Sequence, residues 1–511
     1  MTPATRHRIS GKSRDAAVGA REVSSTSGSS GGGTTTNLVL RNASLLLISQ
    51  IATKSIAFIN FLILTRLLGS FYFGELSFGL SYAGLFVVIS YMGIDTIVTR
   101  DIAQKRRPGD TLVSNSLALR LVLSVMTLGA AVAGSFLFGY SAHLRIVMFL
   151  FAVVVLEDMY SRLPIAVFRA HQKMEYEAIV TLLEKLLIFG GLLAAFFLRA
   201  GVFAAGMVYI GANAAKIVLS LHLLKKHFEH PSLAWNLRYW RSLVKESLPF
   251  ATVFILWSIS YRIDAVMLEA MKGAAAVGWY SAPYRIIETL TFIPEAVGSA
   301  LLPAVASLYA NSRWKVAGGV RQSIRLLVFV GIGMAVGGCL LSKELLGIVL
   351  GGEFGPSVPA FQILVWSLLF IFLEFVTFAS LTATRRQSKL MLISAIAVVL
   401  NVSLNLIFIP RYSLLAASAV TVITEATSVA LALYFVRRAL GEPVLSFDIV
   451  KYIIAGAGMG LAIAALKPIG WVLAGVVGSS DYVMLSFLLR GIRDADIRMV
   501  RDFVARRASA E

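Results

Sequence analysis

The stretch Leu64-Thr-Arg-Leu-Leu-Gly-Ser-Phe-Tyr-Phe-Gly-Glu-Leu-Ser77 is echoed 204 positions later by Leu268-Glu-Ala-Met-Lys-Gly-Ala-Ala-Ala-Val-Gly-Trp-Tyr-Ser281. The offset superposes Leu64 on Leu268, Gly69 on Gly273, Gly74 on Gly278 and Ser77 on Ser281. A Gly-x4-Gly spacing can simply close a helical hairpin, because glycine ends helices at low cost. Here both copies also hold the same place relative to long apolar runs, which points to an internal repeat. An even number of crossings between the copies keeps their orientation. The two halves are therefore expected to be parallel repeats about an axis along the membrane normal, with a cavity between them.

The flanking sequence explains why these runs read as membrane helices. Of the 511 residues 57% are hydrophobic and 15% charged, against roughly 25% charged in a soluble domain. Apolar runs long enough to cross about 30 Å of hydrocarbon recur from Asn37 to about Arg490. Lipid satisfies no backbone N–H or C=O, so such runs must be helical. The expected spans are 38–65, 78–99, 112–138, 144–168, 178–199, 202–224, 247–270, 279–308, 322–342, 359–383, 390–409, 413–436, 450–466 and 470–489. That is an all-α membrane protein of about 14 transmembrane helices: two six-helix lobes followed by a C-terminal pair. The expected division is a disordered basic tail (1–36), an N-lobe (37–228), a C-lobe (246–440), the helix pair (447–490) and a basic cytoplasmic tail (491–511).

The 47 Lys and Arg residues test the span order, because short cytoplasmic loops collect positive charge. Alternate segments, from the N-terminus to Arg41 through 490–507, hold 33 of them. The seven intervening loops hold one each: Arg66, Arg145, Arg199, Lys272, Lys343, Arg411 and Lys467. Both termini are therefore expected on the cytoplasmic side of the cell membrane. The net charge of +19 then suits anionic headgroups rather than nucleic acid. Residues 1–36 lack the apolar core of a secretory signal. A single cysteine, Cys339, and six scattered histidines leave no disulfide framework and no metal site to expect, and no cofactor motif is present.

Ionisable residues inside spans cost about 2.5–3.5 kcal/mol each on insertion scales, so they normally face a partner or a wet cavity. Lys54 has no acid three or four positions away, and its partner must come from another helix, water or a substrate. Arg285 and Glu288 are three apart and can pair on their own helix. Arg262 and Asp264 point to roughly opposite sides of one helix. Arg120, Arg162 and Lys185 lie nearer span ends and are expected to snorkel to the headgroups. Lys54, Arg262, Arg285 and Lys216 are the candidate cavity cations, suited to a polyanion such as a pyrophosphate head. Asp264, Glu374 and Glu425 are candidate carboxylates for a coupling H⁺ or Na⁺.

The 64–77 segment followed by Met92-Gly-Ile-Asp-Thr-Ile-Val-Thr-Arg100 resembles the first helical hairpin of polysaccharide flippases of the Wzx type. Arg262-Ile-Asp264, Val277-Gly-Trp-Tyr-Ser-Ala-Pro-Tyr-Arg285, Phe292-Ile-Pro-Glu and Leu302-Pro303 are similar to the start of that family's second half. Asn405-Leu-Ile-Phe-Ile-Pro-Arg-Tyr412, then Ala416-Ala417 and Glu425, resemble its eleventh and twelfth helices. Where the family usually has Gly-x2-Gly-Ala, this chain has Ser413-Leu-Leu-Ala-Ala. The resemblance covers residues 37–505 and implies membership of the multidrug/oligosaccharidyl-lipid/polysaccharide exporter superfamily. It implies a V of two lobes with a cationic cavity, moving a polyprenyl-pyrophosphate-linked saccharide by alternating access, with an H⁺ or Na⁺ gradient as drive. Membrane lipids and a polysaccharide assembly machinery are the partners it implies.

Two other readings compete. A drug exporter of the same superfamily would share the fold and differ in the charge of its cavity. A membrane-embedded saccharide polymerase would need a sizeable extramembrane loop bearing catalytic acids. The longest internal break, 225–246, is basic and carries only Glu229 and Glu246. A transporter, not an enzyme, is expected.

Overall fold

The computed structural model describes residues 31–309 and 312–492, with side chains from Ala52 onward except those of Pro249, Phe250 and Val253. The bulk of both expected tails thus lies outside the described residues. Among those described, the regular structure is entirely helical. The first part comprises α1 (Gly31–Tyr91), α2 (Ile94–Ala103), α3 (Gly109–Leu137), α4 (Ala142–Ala170), α5 (Met174–Phe197) and α6 (Val202–His227). It continues with α7 (Leu237–Lys272), α8 (Ala274–Thr289), α9 (Phe292–Leu308), α10 (Arg313–Leu340) and α11 (Ser342–Val349). The last elements are α12 (Ser357–Leu364), α13 (Ser367–Ala383), α14 (Gln387–Leu440), α15 (Asp448–Leu466) and α16 (Trp471–Leu488).

Nine of the described helices are long and apolar enough to cross a membrane, or ten if α8 and α9, bent by 44°, form one span. At 1.5 Å per residue a straight 54-residue α14 would reach about 80 Å, far beyond a hydrocarbon layer of about 30 Å. It does not run straight, because Ser413 breaks it (φ 53, ψ −133). That is the position where the exporter pattern has glycine, and a serine there sits in backbone space that L residues rarely enter. Gly69 divides α1 in the same way (φ 65, ψ −178). α4 and α7 are long enough but stand outside the nine, consistent with their charged side chains, among them Glu157, Asp158 and Arg162 on α4.

The repeat is visible in the backbone. Gly273 (φ 82, ψ 173) takes the same left-handed, extended-ψ conformation as Gly69. Without a Cβ both sit there freely, so the chain turns and restarts a helix at once. The stretches after each glycine, expected as loop up to 77 and 278, are therefore helical from Ser70 and Ala274. The two restarted helices cross at their second glycines. A Cβ on Gly74 would lie 1.8 Å from the Ala274 carbonyl oxygen, and one on Gly278 would lie 1.9 Å from that of Ser70. Ala274 and Ser70 are themselves 204 apart, so the contact is reciprocal: each copy's glycine accepts the other's backbone. α1 and α8 accordingly make the most extensive helix pairing among the described residues.

Around this crossing, Glu353 accepts a hydrogen bond from the Ser70 N–H (3.3 Å), placing a carboxylate at a helix N-terminus. The Glu353 carbonyl accepts from Trp279 Nε1 (3.1 Å). At the other end of α1, Arg100 and Arg107 both hold Glu246 of α7, with Arg100 Nη2 at 3.1 Å. Burial opposes ionisation of Glu246, but the hydrogen bonds from Arg107 and Arg100 outweigh it and keep its carboxyl below the ordinary value. Asp101, 1% exposed, binds the same two arginines. The expected single span 279–308 is broken at Leu290 and Thr291. Pro294 lies just beyond and has no N–H to give the preceding turn. Helices α15 and α16 pair with each other and lean on α10, where Tyr482 stacks on Phe329 at 5.0 Å.

Candidate functional site

A cavity of about 470 Å³ lies between α1, α5, α7 and α8. Its wall carries four basic residues, Lys54, Lys185, Arg262 and Arg285, and one acidic one, Glu288. Each cation is held differently, and the differences decide which charge is available to a ligand.

Lys54 finds the helix-borne partner its sequence neighbourhood lacks: Nζ lies 2.6 Å from Glu295 of α9. Both groups remain accessible, at 34% and 44% exposure, so the pair is wet and can exchange. Arg285 pairs with Glu288 at 2.7 Å, as the three-residue spacing predicts, and is 53% exposed. Lys185 binds its neighbour Glu184 at 2.6 Å. Arg262 is the exception: among the described residues no carboxylate lies within ion-pair distance of it. Its Nη1 donates to the Leu80 carbonyl (3.2 Å) and its guanidinium lies 5.9 Å from the Tyr261 ring centre. Nε is buried without an acceptor. Gly84 makes room for this reach, since a Cβ there would stand 2.2 Å from Nε. Ser258, on the same helix as Arg262, donates to the Gly84 carbonyl at 2.9 Å. Two α7 side chains thus donate to α1 carbonyls and fix the arginine against the second half of α1.

Lys216 is not part of this cavity. It is 4% exposed and bridges Asp158 (2.9 Å) and Glu184 (2.8 Å) among α4, α5 and α6. Two carboxylates from other helices neutralise it, which spacing along the chain could not show. Arg120 departs from the snorkelling expectation. Arg120 is fully buried and bonds Asp95 (2.8 Å) and the Met159 carbonyl (2.7 Å). Arg162 pairs with Asp158 at 3.2 Å. Lys185 faces the cavity rather than the headgroups.

On the opposite side of α7 lies a second, polar pocket of about 60 Å³. It brings Asp264, Glu374 and Glu425 together from α7, α13 and α14. Asp264 is buried and accepts from the Asn405 amide (2.6 Å), the Tyr280 hydroxyl (2.9 Å) and the Thr421 hydroxyl (3.0 Å). Asn401 also lines the pocket and accepts from the Asn405 amide at 3.0 Å. Asn405 Oδ1 and Thr424 Oγ1 are buried without partners. Oxygen atoms thus converge around a carboxylate with acceptor capacity to spare. The two asparagines, four apart in an apolar span, are the sequence signal for this cluster. Tyr261 and Tyr284 line both pockets and form the wall between them.

Known proteins share this fold. A model described as MatE matches residues 249–407. The chain is 22% identical over 396 residues to a probable low-salt glycan biosynthesis flippase, Agl15, of Haloferax volcanii, covering 76% of this chain and 82% of that protein. It is 24% identical over 219 residues to the capsular polysaccharide biosynthesis protein CapF of Staphylococcus aureus, covering 42% and 53%. In fold it is similar to the lipid II flippase MurJ in an inward closed conformation, with a TM-score of 0.67 at 13% identity over 86% of this chain and 98% of that one. A multidrug resistance MATE transporter in an inward-facing conformation follows with a TM-score of 0.57 at 15% identity over 79% and 94%. The model described as "Polysaccharide biosynthesis protein" matches residues 39–309, more than half of the 511, and the chain belongs to that family.

Proposed function

We propose that this multi-pass membrane protein is a flippase that moves a lipid-linked saccharide across the membrane, with a diphosphate at the saccharide–lipid junction. The observation that carries the reading is Arg262: a cation fixed in the central cavity with no carboxylate on it, between Lys54 and Arg285. A diphosphate offers several acceptor oxygens, and the guanidinium fork matches them with charge-assisted bonds. With Lys54, Lys185 and Arg285 each answered by a carboxylate, the charge left over in the wall is that of Arg262, which favours an anionic cargo over the cationic drugs of the rival exporter reading. The saccharide-related names of the two relatives agree. The repeat halves supply alternating access, with the Gly74–Gly278 crossing closing one end of the cavity. Counting α1 and α14 as two crossings each, α4 and α7 as one each, and α8–α9 as one restores fourteen. The basic-residue pattern supports a reading with both termini in the cytoplasm and the Gly74–Gly278 end outside. A strain lacking the gene should accumulate a lipid-linked saccharide in the inner leaflet; accumulation of no such intermediate would sink the reading.

The second pocket is proposed as the coupling site. Asp264 with Asn401, Asn405 and Thr421 presents oxygen ligands of the kind a Na⁺ ion accepts, and the same carboxylate can carry a proton instead. Either ion would supply the gradient's free energy to α7, the helix that also bears Arg262. Asp264→Asn should remove the response of transport to an imposed ion gradient while leaving diphosphate binding within about twofold of wild type, a difference of under 0.5 kcal/mol. Gradient-driven transport that persists in this variant would place the coupling elsewhere.

A further inference from the structure

Taken pair by pair, Lys185 is answered by Glu184, yet that carboxylate is shared. Glu184 Oε1 holds Lys185 Nζ at 2.6 Å, while its Oε2 holds the buried Lys216 at 2.8 Å. Lys216 also reaches Asp158 Oδ1 at 2.9 Å, and Asp158 Oδ2 accepts from Arg162 Nη2 at 3.2 Å. Cation and carboxylate thus alternate through α5, α6 and α4 in the order Lys185, Glu184, Lys216, Asp158, Arg162. Three positive charges meet two negative ones. The neighbours do not supply a third carboxylate. Asp95, whose field reaches Arg162, is held by Arg120 at 2.8 Å. Glu157 is turned about 100° from Asp158 around α4, and its Oε2 is buried without a partner.

The surplus charge is not spread evenly along this ladder. An ammonium sealed from water is costly unless carboxylates hold it, so Lys216 keeps both of its partners. Arg162 closes one end, with Nε and Nη2 both on Asp158 Oδ2. Lys185 forms the other end, 28% exposed and in the wall of the cavity that Arg262 lines. Asn60 of α1, in the same wall, donates to the Lys185 carbonyl at 3.2 Å and fixes this turn of α5 against α1.

We propose that Lys185 is a second cargo-binding cation in the cavity of Arg262, kept available to an anionic headgroup because the buried Lys216 takes half of its carboxylate. Lys216 and Glu184 are then positioning residues: they touch no cargo and set the charge that Lys185 presents to it. A diphosphate on Arg262 has more acceptor oxygens than one guanidinium fork occupies, and Lys185 meets the remainder. This inference rests on the flippase reading and names a further residue of the same site.

The test titrates a short polyprenyl diphosphate, with the polyprenyl alcohol of the same length as reference, into the full-length protein in nanodiscs. Lys185→Gln should weaken binding of the diphosphate about tenfold and leave the alcohol unchanged. Glu184→Gln, which leaves Lys216 on Asp158, should tighten diphosphate binding about threefold by releasing Lys185. Lys216→Met should act in the opposite sense, because Glu184 then belongs to Lys185 alone. In a Lys185→Gln background neither of these two changes should alter binding, whereas residues that merely support the fold would still weaken it. Diphosphate binding by Lys185→Gln equal to wild type overturns the proposal, and so does weaker binding by Glu184→Gln. If Lys216→Met fails to fold, the sign of the Glu184→Gln effect decides alone. Wild-type protein that binds the diphosphate no better than the alcohol overturns the flippase reading itself, a result distinct from either.

Discussion

Arg262→Ala is expected to abolish saccharide export while the protein is still made and inserted. Each charge-assisted bond from a guanidinium contributes about 1.5–3 kcal/mol, so losing the fork should weaken diphosphate binding by about tenfold to a hundredfold or more. The effect is large because the other cations of the cavity already have carboxylates on them. Arg262→Lys should recover only part of it, since an ammonium keeps the charge and loses the bidentate geometry. The complementary change is Glu295→Gln, which frees Lys54 from its 2.6 Å pair. If cargo and Glu295 compete for the same ammonium, that variant should bind lipid diphosphate more tightly than wild type. Titration of a lipid diphosphate into the three purified variants reads all of this. Normal export by Arg262→Ala would remove the residue from the site, and weaker binding by Glu295→Gln would show that the carboxylate supports the cargo instead of competing with it.

The second large effect is expected at the helix crossing. A leucine at Gly74 cannot be absorbed by a side-chain rotation, because its Cβ would fall 1.8 Å from a backbone oxygen and 2.9 Å from the Gly278 nitrogen. The two helices must move apart, and that end of the cavity must open. With Ser77→Cys as a reporter on the cavity wall, Gly74→Leu should make the thiol reactive to an impermeant maleimide added from the Gly69 side. Transport should be lost, because a closed state destabilised by about 2.7 kcal/mol is depleted a hundredfold. A shielded thiol together with wild-type transport would show that the crossing is not a gate.

Much of the architecture is legible in the chain because its signals are local or periodic. Apolar runs, the Gly-x4-Gly spacing inside each copy of the repeat, the Arg285–Glu288 spacing and the opposed faces of Arg262 and Asp264 all depend on residues within a few turns of one another. What escapes is whatever depends on a partner far away in sequence. Glu295 stands 241 residues from Lys54, and Asp158 stands 58 from Lys216, so one lysine faces the cavity and the other is sealed inside the first half. Arg120 escapes for the same reason, its charge answered by Asp95 and two backbone carbonyls. Helix boundaries near Ser70 and Ala274 are hidden by short aromatic or alanine stretches that read as loops; Phe73, Ala274 and Ala276 find their buried places only once the helix restarts. Asp264, Glu374 and Glu425 could be named singly, but only the folded arrangement puts them in one pocket.

The two contacts that join the halves rest on different physics. At the Gly74–Gly278 end, backbone meets backbone with no ion pair at the point of closest approach. At the other end, Glu246 of α7 is gripped by two arginines that follow α1. Dispersion contacts are indifferent to dissolved salt, whereas partly exposed charge pairs are screened over a Debye length of about 8 Å at physiological ionic strength. The protein is thus lopsided in its response to its surroundings: one contact between the halves is held by a force the cell's ionic composition can tune, and the other by a fit that it cannot.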